Sequence, residues 1–147
     1  MSALIFHWMI PKNINSDNVT PHMRKKLLSR WSLMAKSFDL NNGKKPNIYL
    51  VTNDSKAIIK DAEINFKAFT SLEEAIKYAE IDGEIVYIEQ GGTDLKDFIH
   101  PENAVYVFGD DYGGLSTTNA ISVPADLTLH AETVAGIVLS YRYNQWH

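Results

Sequence analysis

Short apolar runs rich in β-branched residues alternate with stretches of helical spacing along this chain. Ala3–Met9 (ALIFHWM) reads as a strand, and Asn13–Val19 as a polar loop. Thr20 is placed to cap a helix whose first position is Pro21, where a missing N–H costs nothing. Met23, Leu27, Leu28, Trp31, Leu33 and Met34 recur at roughly helical spacing after it, with basic residues between them, and Asn41-Asn42-Gly43 is the expected stop. Asn47–Thr52 reads as a second strand, followed by a short helix from Asp54 or Ser55 to Ala62. Phe66–Phe69 reads as a third strand. Ser71-Leu72-Glu73-Glu74 has the form of a capping box, in which the serine accepts from the backbone and Glu74 reaches back, opening a helix to about Glu80. Glu84–Glu89 is a fourth strand, Thr93/Asp94 to Phe98 a short helix, and Ala104–Phe108 a fifth strand. Ile121–Val123 is a sixth, and Leu129 to about Tyr143 a closing helix with Val134, Ile137, Val138 and Tyr141 along one side. Strands that alternate with helices in this way predict an α/β fold, a mostly parallel sheet with helices on both faces. The length of 147 residues, without linker, repeat or low-complexity stretch, predicts a single domain over 1–147.

Composition narrows the function classes. The chain has no cysteine, which excludes disulfides, thiolate metal sites and a cysteine nucleophile. That is compatible with a cytoplasmic protein. The apolar run Ala3–Ile10 is too short to span a membrane and lacks the flanks of a targeting segment. The histidines show no metal-ligand spacing, so no metal site is expected. The net charge of −4 argues against a nucleic-acid partner until its distribution is considered. Residues 1–45 hold eight Lys/Arg against two Asp, a balance of +6; residues 46–147 hold six against sixteen, a balance of −10. Such a split can make one basic face on an acidic protein, or simply a solvated helix surface.

The loop Gly109–Asn119 follows an apolar strand and contains Gly109, Gly113 and Gly114, residues that let backbone approach a ligand closely. Its glycine spacing is not that of a dinucleotide fingerprint, and its carboxylates are too few for a calcium loop. Asp110 and Asp111 could accept hydrogen bonds from a ribose or hold a cation, and a plain turn explains the loop equally well. Open parallel sheets bind ligands outside the carboxyl ends of their strands, which is where this loop falls. His130, with Asp126 and Glu132 near it in sequence, suits either acid–base work or a helix start. Trp8, Trp31 and Trp146 could stack bases, although core and interface packing are commoner uses, and His7 and Trp8 read as core or rim.

Phe108-Gly109-x-Asp111-x-x-Gly114-Leu115-Ser116 is similar to the second motif of the SpoU branch of the SPOUT methyltransferases, where Glu usually stands at the place of Asp111 and Arg commonly at that of Gly113. Ile121-Ser122-Val123-Pro124, then Thr128-Leu129-His130, resembles the third motif, with His130 in place of Asn and a shortened spacer. Asn18 and Arg24 keep the spacing of the first motif, with Thr20 replacing its glycine. The resemblance covers both ends of the chain; residues 45–100 match only in their strand–helix rhythm. It implies a C-terminal trefoil knot, a homodimer, and S-adenosylmethionine held by Phe108, Gly109, Asp111, Gly114, Ile121, Val123, Leu129 and His130. It further implies Arg24 and Asn18 in the transfer of a methyl group to a ribose 2′-hydroxyl of tRNA or rRNA. Arginine is always charged, so Arg24 suits charge stabilisation or phosphate positioning better than a base role; otherwise it is one more solvated cation of Arg24-Lys25-Lys26. The RNA would meet the basic helix that starts at Thr20. Two other readings remain open: a non-catalytic knotted dimer that binds RNA or protein, and a flavodoxin-like nucleotide or regulatory domain with an acidic magnesium site at Asp110 and Asp111.

Overall fold

The computed structural model describes residues 2–40, 47–57, 66–109, 120–126 and 129–146, with Ser16 by its backbone alone. Among these residues, six strands form one parallel sheet: β1 (Ala3–Trp8), β2 (Ile48–Thr52), β3 (Phe66–Phe69), β4 (Glu84–Asp94), β5 (Ala104–Phe108) and β6 (Ala120–Ser122), in the order β3-β2-β1-β5-β4-β6. Three α-helices among them accompany it: α1 (Pro21–Ser37), α2 (Leu72–Ala79) and α3 (Ala131–Trp146). The expected mostly parallel sheet with helices on both faces is what forms. Its order is not that of a flavodoxin-like sheet, because β5 returns between β1 and β4.

Alternation along the central strands sorts two cores. Leu4 and Phe6 of β1, Ile48 and Leu50 of β2, and Ala104, Tyr106 and Phe108 of β5 face Leu28, Trp31 and Ala35 of α1 and Ala135, Val138 and Leu139 of α3. Ala3, Ile5, Tyr49, Val51, Val105 and Val107 face Ala75 and Ala79 of α2. Side chains of period 2 therefore supply both faces, as a sheet covered on both sides requires. Phe6 stacks on both Trp31 (4.6 Å) and Phe108 (5.1 Å), tying α1 to the last residue of β5.

Several element boundaries differ from the sequence expectation. Thr20 caps α1 as expected, its hydroxyl accepting from the Met23 N–H. The helix ends at Ser37 rather than at Asn41-Asn42-Gly43, which lie outside the described residues. Asp39 takes the left-handed conformation (φ 62°), the Leu40 N–H returns to the Ala35 carbonyl and the Asp39 N–H to that of Lys36. This is a Schellman stop with aspartate where glycine is usual, sealed by buried Leu40. Met23 and Leu33 point outward, and the buried positions of α1 include Arg24 and Ala35. In α3, which begins at Ala131 rather than Leu129, Tyr141 is exposed and Arg142 is buried. Ser71 accepts from the Glu74 N–H, but the Glu74 carboxylate receives the Thr70 hydroxyl instead of reaching back to the serine backbone. Beyond Asp54, residues 55–57 form a turn, and the rest of the helix expected to Ala62 lies outside the described residues.

β4 runs five residues past its expected end. Ile88 and Thr93 both pair with Ile121, so Glu89–Gly92 bulge out of the ladder. Gly91 sits at φ 85°, and a Cβ on Gly92 would lie 2.2 Å from the Ala120 carbonyl oxygen. Only glycine lets β6 approach here. Gly92→Ala is expected to lower unfolding free energy by about 2 kcal/mol in urea denaturation. Gly136→Ala, in the interior of α3 where a Cβ meets only Met34 Sδ at 3.9 Å, is expected to raise it by about 0.5–1 kcal/mol.

Candidate functional site

Because every strand is parallel, the carboxyl ends of all six share one edge. β1 leads toward β2 while neighbouring β5 leads outward past β4 to β6, so the connections diverge at the β1/β5 boundary. A crevice at such a switch point is where open α/β sheets bind ligands. His7 spans this boundary: its Nδ1 lies 3.0 Å from the Phe108 carbonyl oxygen and, facing an acceptor, carries the hydrogen. Phe108 is buried at the end of β5, and half-buried Gly109 leaves the sheet beside it. Ile121 on β6 and Val123 just after it are half-buried and pack against the α1/α3 core. Leu129 and His130 precede α3 and are exposed; the His130 carbonyl accepts from Val134 N–H, the helix-start role. Asp111 and Gly114 lie outside the described residues. The structure thus brings Phe108, Gly109, Ile121 and Val123 to one edge of the sheet.

The first-motif residues sit at the same edge, but not as free groups. Asn18 is exposed at the end of a single 3-10 turn, Ser16–Asn18. Arg24 is not a solvated cation; 4% of its surface is exposed. Its Nε and Nη2 make a two-pronged contact with Asp54 (2.8 and 3.0 Å), and Nη1 donates to the Val19 carbonyl at 2.8 Å. Trp8 Nε1 (2.9 Å) and the Lys56 N–H (3.0 Å) also donate to Asp54. Sequence spacing gave no warning of Asp54, which stands thirty residues from Arg24 and read only as a helix cap. Burial pushes the Asp54 carboxyl up, but the hydrogen bonds from Arg24, Trp8 and Lys56, with the guanidinium charge, outweigh it and hold the group below the usual carboxylate value. Deprotonating Arg24 would leave Asp54 as an uncompensated buried anion, which sets this arginine further from a base role.

The opposite, amino edge carries a second polar cluster. Arg142 donates through Nη2 to the Ser2 hydroxyl (2.9 Å) and the Glu102 carbonyl (2.7 Å), His100 Nδ1 meets the Tyr106 hydroxyl at 2.7 Å, and Trp146 Nε1 donates to the His100 carbonyl. His100 Nε2 and Arg142 Nε are buried without hydrogen-bond partners. Burial and the Arg142 charge push His100 down to about 4. Ser2, His100, Tyr106 and Arg142 are buried, and their hydrogen bonds fix α3 to the sheet. Among the described residues no group of acids and histidines is placed to hold a metal ion, and no helix is long and apolar enough to cross a membrane.

No protein-family model matches the sequence, and no curated protein matches it either. Solved structures do. The SpoU methyltransferase AviRb from Streptomyces viridochromogenes, in complex with AdoMet, superposes with a TM-score of 0.61 at 14% identity, over 98% of this chain and 60% of that one. The A. aeolicus TrmH/SpoU tRNA modifying enzyme gives 0.59 at 12% identity, over 97% and 74%. A protein studied for 2-OH methylation of C/U34 on tRNA gives 0.58 at 12% identity, over 98% and 97%. The architecture is therefore that of the SpoU/TrmH methyltransferases, and likeness at these identities is a likeness of fold.

Two acid-sensitive positions follow. Asp54→Asn is expected to lower unfolding free energy by about 3 kcal/mol at neutral pH, since it leaves Arg24 buried beside a neutral amide. Asp54 contributes its stability above the unfolded value of 3.8 and loses it as pH falls through the lower folded value, so the gap to the parent narrows in acid. His100 titrates near 6.5 unfolded and near 4 folded. The stability this group contributes is complete above 6.5 and falls by roughly 3 kcal/mol as pH drops through that window. Urea titrations between pH 4 and 7 should show that loss in the parent and a flatter profile in His100→Gln.

Proposed function

We propose that this protein is an S-adenosylmethionine-dependent RNA methyltransferase that methylates a ribose 2′-hydroxyl of tRNA or rRNA. The observation that carries the reading is the fold, shared over nearly the whole chain with a SpoU methyltransferase that holds AdoMet. The order of the three motif-like segments along the sequence supports it. In this reading residues 1–147 form one cytoplasmic domain with a C-terminal trefoil knot that pairs as a homodimer. Phe108, Gly109, Asp111, Gly114, Ile121, Val123, Leu129 and His130 hold the cofactor. Half-buried Ile121 and Val123, on the same edge of the sheet as Gly109, suit an adenosyl group, which needs apolar walls that remain open to entry. When bound, the cofactor supplies the electrophilic methyl group.

The chain's own part is orientation. A ribose hydroxyl is a weak nucleophile, and holding it in line with the donor removes much of the barrier. Exposed Asn18 is the residue of the first motif that meets the ribose. Arg24 acts behind it, since its guanidinium is turned onto Asp54 and Val19. Lys25, Lys26 and Lys36 are exposed on α1 and meet the RNA backbone; Arg30, also exposed, is engaged by Glu132 of α3 at 3.1 and 2.9 Å. Such backbone contacts are salt-dependent.

The burial of Arg24 also favours a second reading, a non-catalytic knotted dimer that binds RNA. Calorimetry and a methyl-transfer assay separate the two. The methyltransferase reading expects saturable S-adenosylmethionine binding tighter than about 1 mM, or ~4 kcal/mol, and label transfer into bulk RNA. Cofactor binding without transfer to any RNA pool would favour the non-catalytic module, and no binding at millimolar cofactor would sink the enzyme.

A further inference from the structure

We infer that Asn53 and Asp54, at the exit of β2, form a clasp that positions the loop 11–20 and its Asn18 over the carboxyl edge of the sheet. The inference rests on the reading of that edge as the methyl-transfer site. It starts from the loop itself. Apart from one 3-10 turn it has no regular structure, and most of its residues are exposed. Around that turn its internal hydrogen bonds include the Ile14 N–H to Pro11, the Asn18 N–H to Asn15 and the Asp17 N–H to the Asn15 side chain, all of them local. A segment this sparsely bonded does not fix its own position; what holds its ends decides where Asn18 stands.

Both ends are held from β2. At the front, the Asn53 side-chain amide closes a reciprocal pair on Ile10, its Oδ1 accepting from the Ile10 N–H at 2.8 Å and its Nδ2 donating to the Ile10 carbonyl at 2.9 Å. At the back, Asp54 grips Arg24, which grips the Val19 carbonyl, the residue after Asn18. Asp54 has no lone pair left for a substrate: Oδ1 receives Arg24 Nη2 and Lys56 N–H, and Oδ2 receives Arg24 Nε and Trp8 Nε1. Its side chain is 1% exposed. Asp54 therefore works through the loop as a positioning residue, and Trp8 braces it from β1. Two adjacent residues thus set the span of the loop from opposite ends.

The test uses the full chain and reads three quantities. Amide hydrogen exchange is followed at Ile14 and Asn18 in the parent, Asn53→Ala, Asp54→Asn and Trp8→Phe. The clasp predicts at least tenfold faster exchange at Ile14 in Asn53→Ala and at Asn18 in Asp54→Asn, a smaller rise in Trp8→Phe, and unchanged amides in α2. Unchanged loop exchange in both clasp variants overturns it. If Asp54→Asn does not fold, exposed Asn53 decides the matter alone. The affinity for S-adenosylmethionine, by calorimetry, should stay within about twofold of the parent, while methyl transfer to bulk RNA loses tenfold or more, mainly through KM for RNA. Cofactor affinity that falls in step with transfer indicates general loosening and also overturns the clasp. If the loop exchanges as predicted but the parent neither binds the cofactor nor transfers a methyl group, the clasp stands and the methyltransferase reading fails.

Discussion

Parallel pairing governs this molecule. Two parallel neighbours cannot be joined by a tight turn, so every strand-to-strand connection must cross over a face of the sheet. With all six strands running one way, helices are forced onto the faces and every strand is delivered to the same edge. The placement of β5 between β1 and β4 adds the second condition, because the chain must leave β4, return inward, and go out again to β6. The divergence of connections at β1 and β5 follows from that order; half-buried Gly109 leaves the sheet beside it, and Ile121 and Val123 lie farther along the same edge, beyond β4.

The apolar skeleton could be read from the sequence because its signals are local. The β-branched runs of β1, β2 and β5 carry their own period, and Thr20-Pro21 announces the start of α1 within two residues. What escaped the sequence was decided at a distance. Arg24 lies in a run of three cations, and nothing in its neighbours says that it turns inward; its partner Asp54 waits on another strand's exit. Arg142 is buried for the same kind of reason, against Ser2 and Glu102. Spacing from Val134, Ile137 and Val138 puts Tyr141 on the apolar side of α3, yet one residue of helical rotation gives the place to the arginine. The stop of α1 falls before the glycine that the sequence offers, because Asp39 takes the left-handed conformation.

The likeness to solved structures is one of fold, and in the first motif-like segment burial decides what Arg24 can touch. A guanidinium displayed to solvent and one folded onto a carboxylate are different objects even at the same sequence spacing. A motif fixes which residue is present; the surrounding packing fixes what that residue can touch. Here the exposed member of the pair is Asn18 and the enclosed one is Arg24.

The contact between Ser2 and Arg142 joins residues 140 positions apart. α3 is thus anchored by a residue that adjoins the start of β1, remote from it in sequence. β1 likewise pairs with β5 although β2, β3, α2 and β4 intervene in sequence. Structure rich in such remote pairings folds slowly, and its intermediates carry unpaired strand edges. One hydroxyl group thereby ties α3 to the start of β1 at the amino edge, opposite the edge that gathers the motif residues.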